Sequence, residues 1–350
     1  MCLLSGKGGS LMIDRIQRLS QRISPGVALL FLAPIFGELV SAHQSLFGFL
    51  NPLAFVLTAL PYGFGAIVCR ELVIRWGKGW FGLVLLGIAY GIYEEAIVAR
   101  SIWDPGWAEL GALSDYTYWR GFTWTYAEVL LHFHLTISIV SSVVVAELLY
   151  PDQRRAPWVS NRQLGLCFLG LALWIPPLWA FNPFVPPVGG FALAWLAIAA
   201  LVYATWRLPA QVLPSRRGTA TRAIWYGVAA AINMTLVFLA VFTLPEANPS
   251  WLPPWPVMFA AVAALDAATF WLILRWSGNG TAWDDRHKLA LVIGLLAFFI
   301  VFDVLKDVTE GFGGSIFVAI GAVWGLRTLW ISTQARYTDG DTVLEASTSR

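Results

Sequence analysis

Apolar residues run in long blocks along this chain, broken by prolines, glycines and charges. A helix that crosses hydrocarbon needs about 20 mainly apolar residues, each adding about 1.5 Å of rise. Ten blocks approach that requirement: 27–46, 52–70, 80–99, 126–149, 164–182, 188–206, 223–243, 255–275, 289–306 and 313–332. Breaks such as Asn51-Pro52, Pro186-Pro187 and Pro253-Pro254 fall between them, where helices start and stop. The connections are mostly short. The pattern predicts an all-α, polytopic integral membrane bundle of about ten transmembrane helices, with residues 26–333 forming one bundle.

Outside the blocks, Met12, Ile13, Ile16, Leu19 and Ile23 recur near helical spacing opposite Arg15, Arg18 and Arg22. Residues 1–25 therefore read as a cytoplasmic amphipathic lead-in lying on the membrane surface. The start MCLLSGKGGS lacks the pattern of a cleaved signal. The polar stretch 334–350 reads as a disordered cytoplasmic tail. Residues 59–80 and 264–283 each run from Ala-Leu to an aliphatic–Arg–Trp exit followed by glycine. Any duplication would be a weak parallel repeat of 52–100 with 254–306, because the helices concerned are an even number apart.

Charge orients the bundle. Of the 23 Lys and Arg, only Arg100, Arg120 and Lys306 fall outside the alternate loops that begin with the N-terminus. Basic loops stay in the cytoplasm, so both termini are expected inside, in a membrane of the bacterial cytoplasmic type. Composition agrees with a membrane protein: 58% hydrophobic, 13% charged, mean hydropathy +0.66 and 19 Trp to anchor two interfaces. A formal net charge of +2 argues against a nucleic-acid partner. Three cysteines are too few for a disulfide framework. The expected partner is the lipid bilayer, with a lipid or a membrane peptide as substrate.

Ionisable groups inside apolar blocks are costly and mark candidate sites. Glu94 and Glu95 fall in the outer half of the third block. Glu128, His132 and His134 enter the fourth from outside, and Asp303 lies at similar depth in the ninth. Glu128 and His132 are four apart and share a helix face. His134 lies about 200° round from His132, so the two cannot face one cavity on a regular helix. Glu94, Glu95, Glu128 and His132 form the candidate catalytic set, with His134, Asp303 and Arg100 in support. If a metal binds, Glu94, Glu128 and His132 offer the ligands. Glu38 and Asp266 are weaker candidates, Asp266 as a structural partner or relay. Arg70-Glu71, at the end of the second block, reads as a solvated boundary pair. The aromatic loop 101–126 reads as an interfacial belt and as a lid over the site.

The stretches YGIYEEAIVARSIWDPGW and HFHLTISIVSSVVVAELLYP resemble an uncharacterised group of bacterial polytopic membrane proteins over roughly residues 30–155. More distantly, the Glu94-Glu95 pair resembles the CAAX-protease and bacteriocin-processing intramembrane peptidases. That resemblance implies that the glutamates, with His132 or His134, activate water for peptide hydrolysis. Arg100 stands five residues after Glu95 where that family places an arginine at four, and no later block offers its second histidine.

No phosphate loop, dinucleotide fingerprint or nucleophile elbow is present, and no cofactor is indicated. The residues thus leave three classes open. One is an intramembrane hydrolase with Glu94 or Glu95 as base and His132 orienting water. The second is a proton-coupled transporter using the same groups as a relay. The third is a non-catalytic membrane scaffold.

Overall fold

Small polar residues and prolines start the helices. Asn51 accepts hydrogen bonds from the Leu53 and Ala54 amides, and Pro52 opens the helix behind it. Ser160 and Gln163, and likewise Asp284 and His287, form reciprocal capping boxes. The computed structural model describes residues 22–216, 220–311 and 313–348. Its long helices are α1 (Pro25–Leu39), α2 (Pro52–Arg75), α3 (Trp80–Val98), α4 (Trp124–Leu149) and α5 (Asn161–Phe181). They continue with α6 (Val188–Arg207), α7 (Ala223–Ala247), α8 (Trp255–Trp276), α9 (Asp285–Glu310) and α10 (Ser315–Thr348). The strand content among the described residues is one short antiparallel pair, Tyr118–Trp119 with Phe122–Thr123.

Among the described residues, nine of these helices are long and apolar enough to span a bilayer, and α1 is shorter. This corrects the expected first span, 27–46. Pro34 and a widened π turn at Ile35–Leu39 end the regular ladder. Ala42 then takes left-handed backbone (φ 59°) and turns the chain into a short helix, Leu46–Phe49. The last helix departs the other way. It runs to Thr348, through the segment expected to be a disordered tail, because no proline interrupts it after Ser315. The lead-in lies almost wholly outside the described residues.

Burial ranks the helices. In α4, 72% of the apolar window is buried, and in α3 67%, against 11% in α6 and α8. The first two are therefore the axis of the bundle and the last two its lipid-facing rim. Leu166, Leu173, Leu193, Leu196 and Trp206 project outward from α5 and α6, as residues solvated by lipid tails do. Between α7 and α9, a Cβ on Gly294 would lie 2.0 Å from the Gly227 carbonyl oxygen. Only glycine lets the two backbones meet there.

At the end carrying the basic loops, Arg70 corrects its sequence reading. It is 1% exposed and not solvated. Its guanidinium donates to Glu71 Oε1 at 2.8 Å and to the Arg154 and Ala156 carbonyls at 2.9 Å, and stacks on Trp158. The α4–α5 loop folds over it and takes it from water. At the opposite end, the 99–123 segment is a packed cap. Trp103, Leu110 and Leu113 are buried, and Tyr116 donates to the Pro253 carbonyl at 2.7 Å.

Candidate functional site

Three π turns meet on the capped side of the bundle, and each carries buried polar groups. The turn in α1 holds Glu38, that in α3 (Tyr93–Val98) holds Glu94 and Glu95, and that in α4 (His134–Ser141) holds His134 and Ser138. A π turn inserts a residue into the helix and frequently marks a functional site. All five side chains belong to buried residues.

His134 and Glu95 form the centre, with Nε2 and Oε1 2.6 Å apart. The Ser101 hydroxyl donates to the other carboxylate oxygen of Glu95. Behind the imidazole, Ser138 Oγ lies 3.3 Å from Nδ1. Tyr62 and Tyr90 wall the ring, with centroids 5.8 and 5.7 Å away. Glycine seats both tyrosines: a Cβ on Gly37 would fall 2.4 Å from the Tyr62 ring, and one on Gly65 would fall 2.0 Å from that of Tyr90. Glu94 is within electrostatic range of His134 and beside Tyr90. Its Oε2 has no hydrogen-bond partner, nor does Oε2 of Glu38. Three carboxylates therefore surround one imidazole in a dry interior.

A path leads outward from this centre. Glu38 stands beside Tyr62 and 3.9 Å from His43 Nε2. His43 in turn lies 3.4 Å from Glu109, and both are about half exposed. The charge of Glu38 raises His43 above its ordinary pKa of 6.5; burial opposes the rise and Glu109 adds to it.

His132 faces away from this cluster. Its Nδ1 is 3.1 Å from Asp266 Oδ2 on α8, and Asn233 of α7 donates to Asp266 Oδ1 at 2.8 Å. Glu128, one turn back, shares this face. Both line a cavity of about 690 Å3 between α3, α4, α7 and α8. Its walls are mostly apolar, including Phe81, Trp124, Leu131, Phe259 and Phe270.

The expected catalytic set thus divides. Glu94 and Glu95 meet His134, while Glu128 and His132 sit on the opposite side of α4 with Asp266. The expected metal ligands Glu94, Glu128 and His132 are separated by the same helix, and no cluster of three His, Cys, Asp or Glu suited to a metal occurs among the described residues. Arg100 is a clamp. It donates to the Asn182 and Phe184 carbonyls and stacks on Trp179. Asp303 is buried but stands apart, its neighbours being Ser315, Asp307 and Lys306. Sequence reasoning passed over Tyr62, Tyr90, Ser101 and Asn233. Nothing in their spacing distinguishes them from packing residues.

A family model described as an uncharacterised membrane protein family matches residues 27–336. No curated protein and no solved structure matches the chain, and the peptidase resemblance gains no support from these comparisons.

Proposed function

Given that this chain belongs to that uncharacterised family of membrane proteins, we propose that it moves protons between its outer face and its buried centre, as a proton-coupled transporter does. The observation that carries this reading is the continuity of titratable groups. Half-exposed Glu109 and His43 lead to Glu38, Glu38 to Tyr62, and Tyr62 to the His134–Glu95 pair. Glu38 and Glu109 lie 3.9 and 3.4 Å from His43, Glu95 lies 2.6 Å from His134, and Tyr62 stands between Glu38 and the His134 ring. His43, with its raised pKa, would take protons at the mouth of the path. Glu94 adds a second carboxylate within range of the same imidazole, so the centre can hold a proton in more than one arrangement.

A hydrolase remains the second reading because one oxygen of Glu94 is free beside the Glu95–His134 pair, where it could draw a proton from water. It is the weaker of the two. Neither Glu94 nor Glu95 lines the cavity of about 690 Å3 or the one of about 430 Å3.

Reconstitution separates the readings. In vesicles carrying a pH-sensitive dye and an imposed membrane potential, wild-type protein should acidify the lumen. Glu95→Gln and His134→Gln should abolish the signal, and His43→Gln should slow it. Variants as active as wild type would remove the relay. Loss of peptide or lipid cleavage in Glu94→Gln, with proton flux intact, would favour the hydrolase.

A further inference from the structure

The cavity on the other face of α4 lies apart from the proton path and has its own chemistry. At about 690 Å3 it is the size of a site for a small organic molecule. Aromatic and aliphatic side chains from α3, α4 and α8 make most of its lining. Its ionisable set, Glu128, His132 and Asp266, is small and one-sided. Glu128 and Asp266 bring two carboxylates within electrostatic range of each other. His132 is 9% exposed, and its Nδ1 lies 3.1 Å from Asp266 Oδ2. Its Nε2 has no partner, and neither has Glu128 Oε2. The Asn233 amide donates to Asp266.

Two carboxyl groups and an imidazole with unpartnered atoms, set in an apolar wall, are completed by a ligand that brings N–H groups and positive charge. We infer that this cavity binds a lipophilic amine, a molecule with one protonated nitrogen and a bulky apolar body. The ammonium would sit among Glu128, His132 and Asp266. The apolar body would lie along Phe81, Phe259 and Phe270. A carboxylate headgroup would meet two carboxyl groups there, and an alcohol brings a single donor and no charge.

The test is direct binding, independent of proton flux. Purified full-length protein in neutral detergent is titrated with tritiated propranolol, a secondary aryl-alkyl amine, in a scintillation proximity assay. Dodecylamine, dodecanol and dodecanoate serve as competitors of equal chain length. Saturable binding is expected, displaced by dodecylamine and far less by dodecanol or dodecanoate. Asp266→Asn and Glu128→Gln should each weaken it by about thirtyfold or more, the cost of losing a buried charged partner. Ala267→Trp should block it by filling the cavity from its α8 wall. That variant leaves the polar set intact, so it tests the site even if the carboxylate variants fold poorly. Absence of saturable binding, equal displacement by dodecanoate, or wild-type affinity in Ala267→Trp would each overturn the inference.

Discussion

His132 and His134 are separated by one residue on α4, yet they serve different partners: His132 faces Asp266 at 3.1 Å and His134 faces Glu95 at 2.6 Å. The helix between them is a wall. On one side lies the buried centre of three carboxylates; on the other lies an apolar cavity with an acidic edge. This predicts that the histidines are functionally separable. His134→Gln should remove proton flux in vesicles and leave amine binding near wild type. His132→Gln should weaken amine binding and leave flux near wild type. Loss of both properties in either variant would show that the two faces act as one site.

His43 sets a pH dependence. Its pKa is raised in the folded protein, chiefly by Glu38, above the ordinary 6.5. The protonated form is then bound more tightly in the folded state than in the unfolded one. The contribution is full below about pH 6.5 and is lost as pH rises through the higher folded value. His43 is half exposed, so solvent screens the effect and it should be modest. The melting temperature of wild type minus that of His43→Gln should be positive near pH 6 and shrink toward zero in alkaline buffer. A difference that stays flat across that range would exclude the linkage.

Gly65 predicts a steric test of the centre. An alanine Cβ would press on the Tyr90 ring at 2.0 Å, and that ring walls His134. Gly65→Ala should cost about 1–3 kcal/mol, as other overpacked sites do. Gly165→Ala on α5 meets nothing within 4 Å and is the control. It should be neutral or stabilising by up to about 1 kcal/mol, from helix propensity alone. Denaturation in detergent should rank the variants in that order. Equal stability of the two would mean that Tyr90 is not held as the structure places it.

Much of the fold is legible in the sequence because hydrocarbon imposes a length: nine helices fall where the apolar blocks predict them. The first block misleads because its composition is apolar through Phe36, while Pro34 and the π turn that follows end the helix early. At the site, shared faces within one helix are legible and facing between helices is not. Glu128 and His132 do share a face, as four-residue spacing demands, and Glu94, Glu95 and His134 lie together at one end of the bundle. Which histidine meets the glutamates depends on how α4 is rotated against α3. It also depends on π turns that shift the angular phase after Ile92 and Phe133, and no residue pattern encodes either. Arg70 shows the same limit. A cation at a helix end reads as solvated until a loop more than 80 residues later is seen to cover it.

That buried arginine supports the last prediction. Arg70 donates hydrogen bonds to Glu71, the Arg154 carbonyl and the Ala156 carbonyl, lies 3.8 Å from Glu147 and is 3.6 Å from the Trp158 ring. Glu71 is as deeply buried and also accepts from the Trp158 amide at 2.7 Å and Arg75 Nε at 3.0 Å. Replacing Arg70 by methionine keeps much of the volume but leaves Glu71 with one cation, Arg75, and strands two loop carbonyls. Breaking one side of a buried pair typically costs about 3–5 kcal/mol. Arg70→Met should therefore lower the melting temperature sharply and expose the 150–160 loop to protease. Adding Glu71→Gln removes a buried charge that has lost one of its two cations while keeping an acceptor for the Trp158 amide, so the double variant should recover part of the loss. If the double variant were less stable than the single one by the full cost of Glu71→Gln alone, the two residues would be acting independently, and the loop would be held by the carbonyl contacts rather than by the ion pair.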